Sequence, residues 1–233
     1  MKLNEKIDLI FKLLNFASLN NLHADEEDIR SITMHSISRS IQNYYISLIL
    51  SEKLEDIKFV NANISEEFAV EELEVVNYNY QGFIKDALFN ALFISIESNI
   101  RAIARHYEAK VNDINNTSIK ITFENLLKTI SLFNGISADQ KKVILYFFYL
   151  RNTMHNFGIN TKPKQAIDIE DKTSIVDTSK VKLELIQNQT NNISSKNLFL
   201  LFEQVLKVII RLNSMIPSNE KIKHPLADFD YNG

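Results

Sequence analysis

Apolar residues recur along most of this chain every three or four positions, the spacing that lines one face of an α-helix. Leu3, Ile7, Ile10, Phe11 and Leu14 predict a first helix over Asn4 to Asn20. Ile37, Ile41, Tyr44, Tyr45, Leu48 and Ile49 form the stripe of a second. That helix is expected to begin near Asp25 as its cap, with Glu26, Glu27 and Asp28 in the first turn, where the helix dipole favours acids. Residues 61–79 mix acids with Phe68, Val70, Leu73, Val75 and Val76, and read as a loop or short helix between two helical layers. From Tyr80 to Asn112 the run Phe83, Ile84, Leu88, Phe89, Leu92, Phe93, Ile96, Ile100 and Ile103 is apolar around much of the helix circumference, which predicts the central helix of the fold.

Ser118 to Phe133 reads as a further amphipathic helix closed by Asn134-Gly135. Ser137 then caps a helix over Ala138 to Phe157, with Gly158 as its stop. Beyond it the period falls to two. Ile167 and Ile169 alternate with acids, and Val181, Leu183 and Leu185 alternate with Lys182 and Glu184, a small hairpin turning around Asp177-Thr178-Ser179. Helical spacing returns from Ser194 to Ile216, Pro217 ends it, and residues 218–233 read as a mobile tail. The expected fold is mainly α: a helical bundle with a small β-hairpin inserted before the C-terminal helix. It divides into an N-terminal helical extension (1–79) packed on a helical core (80–217), followed by the tail, as one compact unit. Four glycines and three prolines in 233 residues suit long, uninterrupted helices.

Composition narrows the chemistry. A hydrophobic content of 45% supplies a full core. The absence of cysteine removes disulfides, thiolate nucleophiles and Cys-ligated zinc. A net charge of -3 gives no global attraction for nucleic acid, so any such contact must come from a local basic patch. The residues after Met1 alternate with charge and offer neither a signal-peptide core nor a membrane anchor, so the expected compartment is the cytoplasm. No glycine-rich phosphate loop is present, and His23, His35 and His224 lack the spaced partners of a metal site; no metal or cofactor is expected.

The polar exception to a greasy segment is Leu150-Arg151-Asn152-Thr153-Met154-His155-Asn156-Phe157-Gly158. Four residues apart on a helix, Arg151 and His155 share a face about 5–6 Å apart, with Asn152 and Asn156 paired beside them. Arg151 offers a permanent planar cation for an anion, and His155 titrates near neutrality as an acid or base. In the plainer alternative, Asn156 and His155 simply satisfy carbonyls at a helix end.

A helix ending in Arg-Asn-x-x-His-Asn-x-Gly, preceded by a long helix carrying Ile96-Glu97-Ser98-Asn99-Ile100-Arg101, resembles the HEPN superfamily over roughly Tyr80 to Ile216. The family's motif has four to six residues between Arg and His, where this chain has three. The resemblance implies an all-helical, homodimeric, metal-independent endoribonuclease of the toxin–antitoxin or phage-defence kind, with a cognate antitoxin protein as a further partner. Its catalytic residues would be Arg151, steadying charge on the phosphate, and His155, exchanging a proton with the ribose 2′-hydroxyl. Asn152 and Asn156 would orient the imidazole or contact the nucleotide, and cleavage would leave a 2′,3′-cyclic phosphate. Other members are inactive scaffolds, so a helical protein-interaction module is the alternative.

Three further groups have two readings each. Glu97 either supports Arg151 or His155 from the facing helix, or makes an ordinary i,i+4 ion pair with Arg101. Arg101, Arg105, His106 and Lys110 are either a phosphate-tracking stripe or a solvated helix face. Tyr146 and Tyr149 are core residues, or near enough to the polar cluster to stack on an RNA base.

Overall fold

The computed structural model describes residues 1–20, 25–65, 68–154, 156, 158–191 and 193–224. Its helices are α1 (Leu3–Leu19), α2 (Ile29–Ser51), α3 (Ile57–Asn63), α4 (Val70–Glu108), α5 (Ile119–Thr129), α6 (Ala138–Met154) and α7 (Ser195–Met215). Strands β1 (Gln165–Ile169) and β2 (Val181–Leu185) form a two-stranded antiparallel sheet immediately before α7. The architecture is the expected mainly helical bundle with a hairpin ahead of the last helix.

The 39-residue helix α4 is the spine. It starts about three turns earlier than the apolar pattern predicts, and the expected boundary between residues 79 and 80 falls inside it. Its first turns bury only Leu73 and Asn77, one of them polar, so the helical period is hidden there. Glu72 fixes the start by accepting the Ala69 N–H at 2.9 Å. Asn77 donates to Glu55 at 2.6 Å, which compensates its burial. This helix is long and apolar enough to cross a membrane, yet 61% of its apolar window is buried inside the fold, where a core helix needs that character.

The helices α1 and α2 share one hydrophobic core with the rest of the chain. Ile10, Leu13 and Ala17 of α1 and Ile37, Ile41 and Leu48 of α2 are fully buried with Leu92, Ile100 and Ile103 of α4 and Phe199 of α7. The aromatic centre joins α4, α6 and α7: the Phe89 and Phe147 rings lie 5.0 Å apart, Phe93 and Phe148 5.9 Å, and Phe147 and Phe202 6.3 Å.

Caps mark the helix starts. Helix α2 begins three residues later than expected because Asp28, not Asp25, caps it, accepting the Arg30 N–H at 2.8 Å. Ser137 and Gln140 bond each other's backbone N–H reciprocally at the start of α6, as its sequence predicts. Ser194 caps α7. Helix α5 is shorter than expected: it stops at Thr129, and Ser131–Gly135 form a 3-10 turn.

The hairpin pairs Ile167 with Leu183 and Ile169 with Val181, so the inward-facing Ile167, Ile169, Leu183 and Leu185 cover the core. Its connection is not a tight turn at residues 177–179. It is a long loop pinned to α7 by Glu203, a fully buried carboxylate that accepts from Ser174 Oγ at 2.6 Å and the Ile175 N–H at 3.1 Å. Lys207 bridges Glu203 and Asp171, each at 2.6 Å.

The expected mobile tail is corrected for residues 218–224, while residues 225–233 lie outside the described residues. Residues 218–224 form a docked strap: Ile222 is 1% exposed, and its backbone bonds the Ile29 N–H and the Asp28 carboxylate. Arg30, buried against Asp28, donates to the carbonyls of Ile216, Pro217 and Glu220. Pro217 ends α7, and polar anchors then hold the chain that a reading of apolar periodicity leaves loose.

Candidate functional site

The polar cluster lies where α6 ends. The helix stops at Met154, and Gly158, at φ +83°, is in the left-handed region that favours glycine. Its N–H and that of Asn156 both bond the Thr153 carbonyl, at 2.9 and 3.0 Å. Gly158 thus closes the turn that follows α6, but the helix itself ends at Met154, short of the expected bound, and Asn156 stands in that turn rather than on the helix. Phe157, the expected last helical residue, and His155 lie outside the described residues.

Arg151 is half-buried in the last turn of α6, where a cation is favoured by the helix dipole. Its guanidinium carbon stands 4.9 Å above the Phe93 ring of α4. Such stacking is worth about 0.5–2 kcal/mol and fixes the side chain between the two helices. Among the described residues the guanidinium makes no hydrogen bond or ion pair. Its planar fork therefore retains its donors while its apolar face is occupied.

The other candidates are distributed differently. Asn152 is exposed, and its carbonyl accepts from Asn156 Nδ2 at 3.0 Å, so Asn156 covers an open carbonyl at the helix end. Glu97 is bonded by Arg101 at 2.8 Å rather than by Arg151. Arg101 also donates to the carbonyls of Asn116 and Thr117 at 2.8 and 2.9 Å, tying α4 to the chain before α5. Arg105 is exposed without hydrogen bond or ion pair among the described residues. His106 and Lys110 are both bonded to Glu220 of the strap. Tyr149 is half-buried and accepts from Lys120 at 3.0 Å; that hydrogen bond raises the Lys120 pKa. Tyr146 is buried, which pushes its phenol above the usual range and keeps it neutral. The basic run of α4 is thus divided, with Arg101 and the His106–Lys110 pair in structural contacts.

A cleft of about 380 Å³ opens beside the end of α6, with Phe89, Leu150 and Met154 among its apolar walls and Lys85, Asp86 and Asn191 among its polar ones. Phe89 is one turn of α4 from Phe93, so the cleft adjoins the helix pair that carries Arg151. Lys85 and the cleft are features a reading of the motif alone misses; the only sequence signal is a lysine set in the apolar run of α4. Among the described residues no group of three or more histidines and carboxylates is placed to hold a metal ion. Comparison with models of known families, with curated proteins and with solved structures finds no match to this chain.

Proposed function

We propose that the end of α6 is the phosphate-binding centre of a metal-independent endoribonuclease of HEPN type, working in a toxin–antitoxin or phage-defence system in the cytoplasm. The observation that carries this reading is Arg151: a half-buried guanidinium, stacked on Phe93, with no acid or carbonyl using its donors among the described residues. A half-buried cation with no counter-charge beside it keeps its donors open to an anion, and a phosphate matches the planar fork. In this account Arg151 steadies the charge on the phosphate, and His155, four residues on, exchanges the proton of the 2′-hydroxyl. Asn156 is bonded to the Asn152 carbonyl. A homodimer would place two such sites together, and Phe83 (71% exposed) and Ile94 (63% exposed), about three turns apart on one side of α4, are its candidate contacts.

The inactive scaffold is the second reading. It is favoured by Asn156 and Glu97, both of which have structural partners. The test is cleavage of a mixed-sequence single-stranded RNA in EDTA by wild type, Arg151→Ala and His155→Ala. Cleavage by wild type leaving a cyclic phosphate, with a fall of about 10²–10⁴ in rate for His155→Ala, is expected. Intact RNA after incubation with wild type, alongside normal growth of an expressing host, would favour the scaffold.

A further inference from the structure

Nearly every partly or fully buried lysine and arginine in this chain has an assigned partner. Arg30 has Asp28, Arg101 has Glu97, Lys141 has Glu124, Lys207 has Asp171 and Glu203, Lys120 has Tyr149, and Lys6 has Gln81. The exceptions among the described residues are Arg151 and Lys85, both half-buried and both on the α4–α6 pair. Arg151 is used above. Lys85 lines the cleft at the end of α6, and its ammonium has no hydrogen bond or ion pair among the described residues.

A second cation is bonded to the same helix one turn away. Lys6 of α1 donates to Gln81 at 2.7 Å, and Gln81 is one turn before Lys85 on α4. Gln81 is oriented in turn by Nε2, which donates to Asn77 at 3.1 Å. The partner that fixes Lys6 is therefore a neutral amide. Burial first, and then the Lys85 charge, lower the Lys6 pKa, with no carboxylate offsetting them. Two ammonium groups thus repel each other, and one of them, Lys85, lines a cleft whose floor is apolar. The cost is recovered when an anion binds at Lys85.

We infer that Lys85 forms a second phosphate subsite at the rim of this cleft, its field reinforced by Lys6 held one helical turn away on Gln81, with Phe89, Leu150 and Met154 as the apolar surface for the base of the same nucleotide. A volume of about 380 Å³ is in the range of small-ligand sites. The ligand chemistry is a phosphate ester or polyphosphate; that it is a further phosphate of the RNA strand held by Arg151 rests on the function proposed above. Asp86, exposed on the same rim, opposes the anion and sets an upper limit on its affinity.

The test is the melting temperature of the full-length protein with and without inorganic tripolyphosphate. It compares wild type, Lys85→Gln, Lys85→Arg, Asp86→Asn and, as a control, the exposed Lys162→Gln. Wild type should be stabilised by the anion, Lys85→Gln should lose most of that shift, Lys85→Arg and Lys162→Gln should keep it, and Asp86→Asn should enlarge it. No shift for wild type, or an equal shift for Lys85→Gln, overturns the subsite whatever the RNA assays give. If the shift depends on Lys85, a fall of about 0.7 in the salt-dependence slope of RNA binding by Lys85→Gln assigns the anion to RNA. An unchanged slope, or no RNA binding by wild type, assigns it to a free polyphosphate, and the subsite then stands without the ribonuclease.

Discussion

Asn99 is the most exposed question at the scale of single residues, although its side chain is fully buried. On the middle of α4, neither its amide nitrogen nor its oxygen has a hydrogen-bond partner among the described residues. An unsatisfied buried amide costs about 1–3 kcal/mol, so Asn99→Leu should raise stability by about 1–2 kcal/mol in urea denaturation. Destabilisation instead would show that the amide is satisfied by an internal water. Glu203 is the contrasting case, buried but satisfied by Lys207, Ser174 and two backbone N–H groups. Glu203→Ala should cost about 3 kcal/mol, because it strands those donors. Its neighbour Asp171 gives a pH signature. Partial burial pushes the Asp171 carboxyl up, but hydrogen bonds from Lys207, Gln204 and Thr173 outweigh this and hold it well below the usual carboxylate range. A folded pKa below the unfolded one adds stability at pH values above about 4 that is lost as pH falls through the folded value. Asp171→Asn should therefore be less stable than wild type at pH 7, and the two urea midpoints should converge in strong acid.

Elements were legible from sequence wherever one face is apolar and the other polar. The α6 cap at Ser137, the two alternating strands ahead of α7, and the start of α7 at Ser194 all follow from local spacing. What escaped has a common physical origin: polar residues that do the packing. The first turns of α4 bury Asn77, and the 170–180 loop is organised around Glu203. The strap is fastened by Arg30, Asp28 and Glu220, more than a hundred residues apart in places. Neither a hydrophobic period nor a turn signal marks such long-range polar contacts. Of the site, Arg151 and the Gly158 stop were readable, whereas the cleft and Lys85 depend on how α4, α6 and the start of α7 meet. The strap makes the difference testable. Deleting residues 218–233 uncovers the Ile222 site and removes the Glu220 carbonyl from Arg30, for a loss of at least about 2 kcal/mol. A mobile tail could be removed with no change in melting temperature.

For the whole molecule, a net charge of -3 means that RNA would be drawn by local geometry rather than by a global field. The account accordingly predicts weak binding with a small number of phosphate contacts, sensitive to Arg151 and indifferent to most exposed lysines. It also predicts a dimer by light scattering that Phe83→Glu with Ile94→Glu converts to a monomer; a monomeric wild type would remove the paired-site feature. The most direct measurement is a titration of fluorescently labelled single-stranded RNA with wild type and Arg151→Ala, in EDTA, at two salt concentrations. Removal of one phosphate contact should weaken binding about five- to tenfold and lower the salt-dependence slope by about 0.7. Equal affinities and equal slopes for the two proteins would contradict the assignment of the α6 end as a phosphate site.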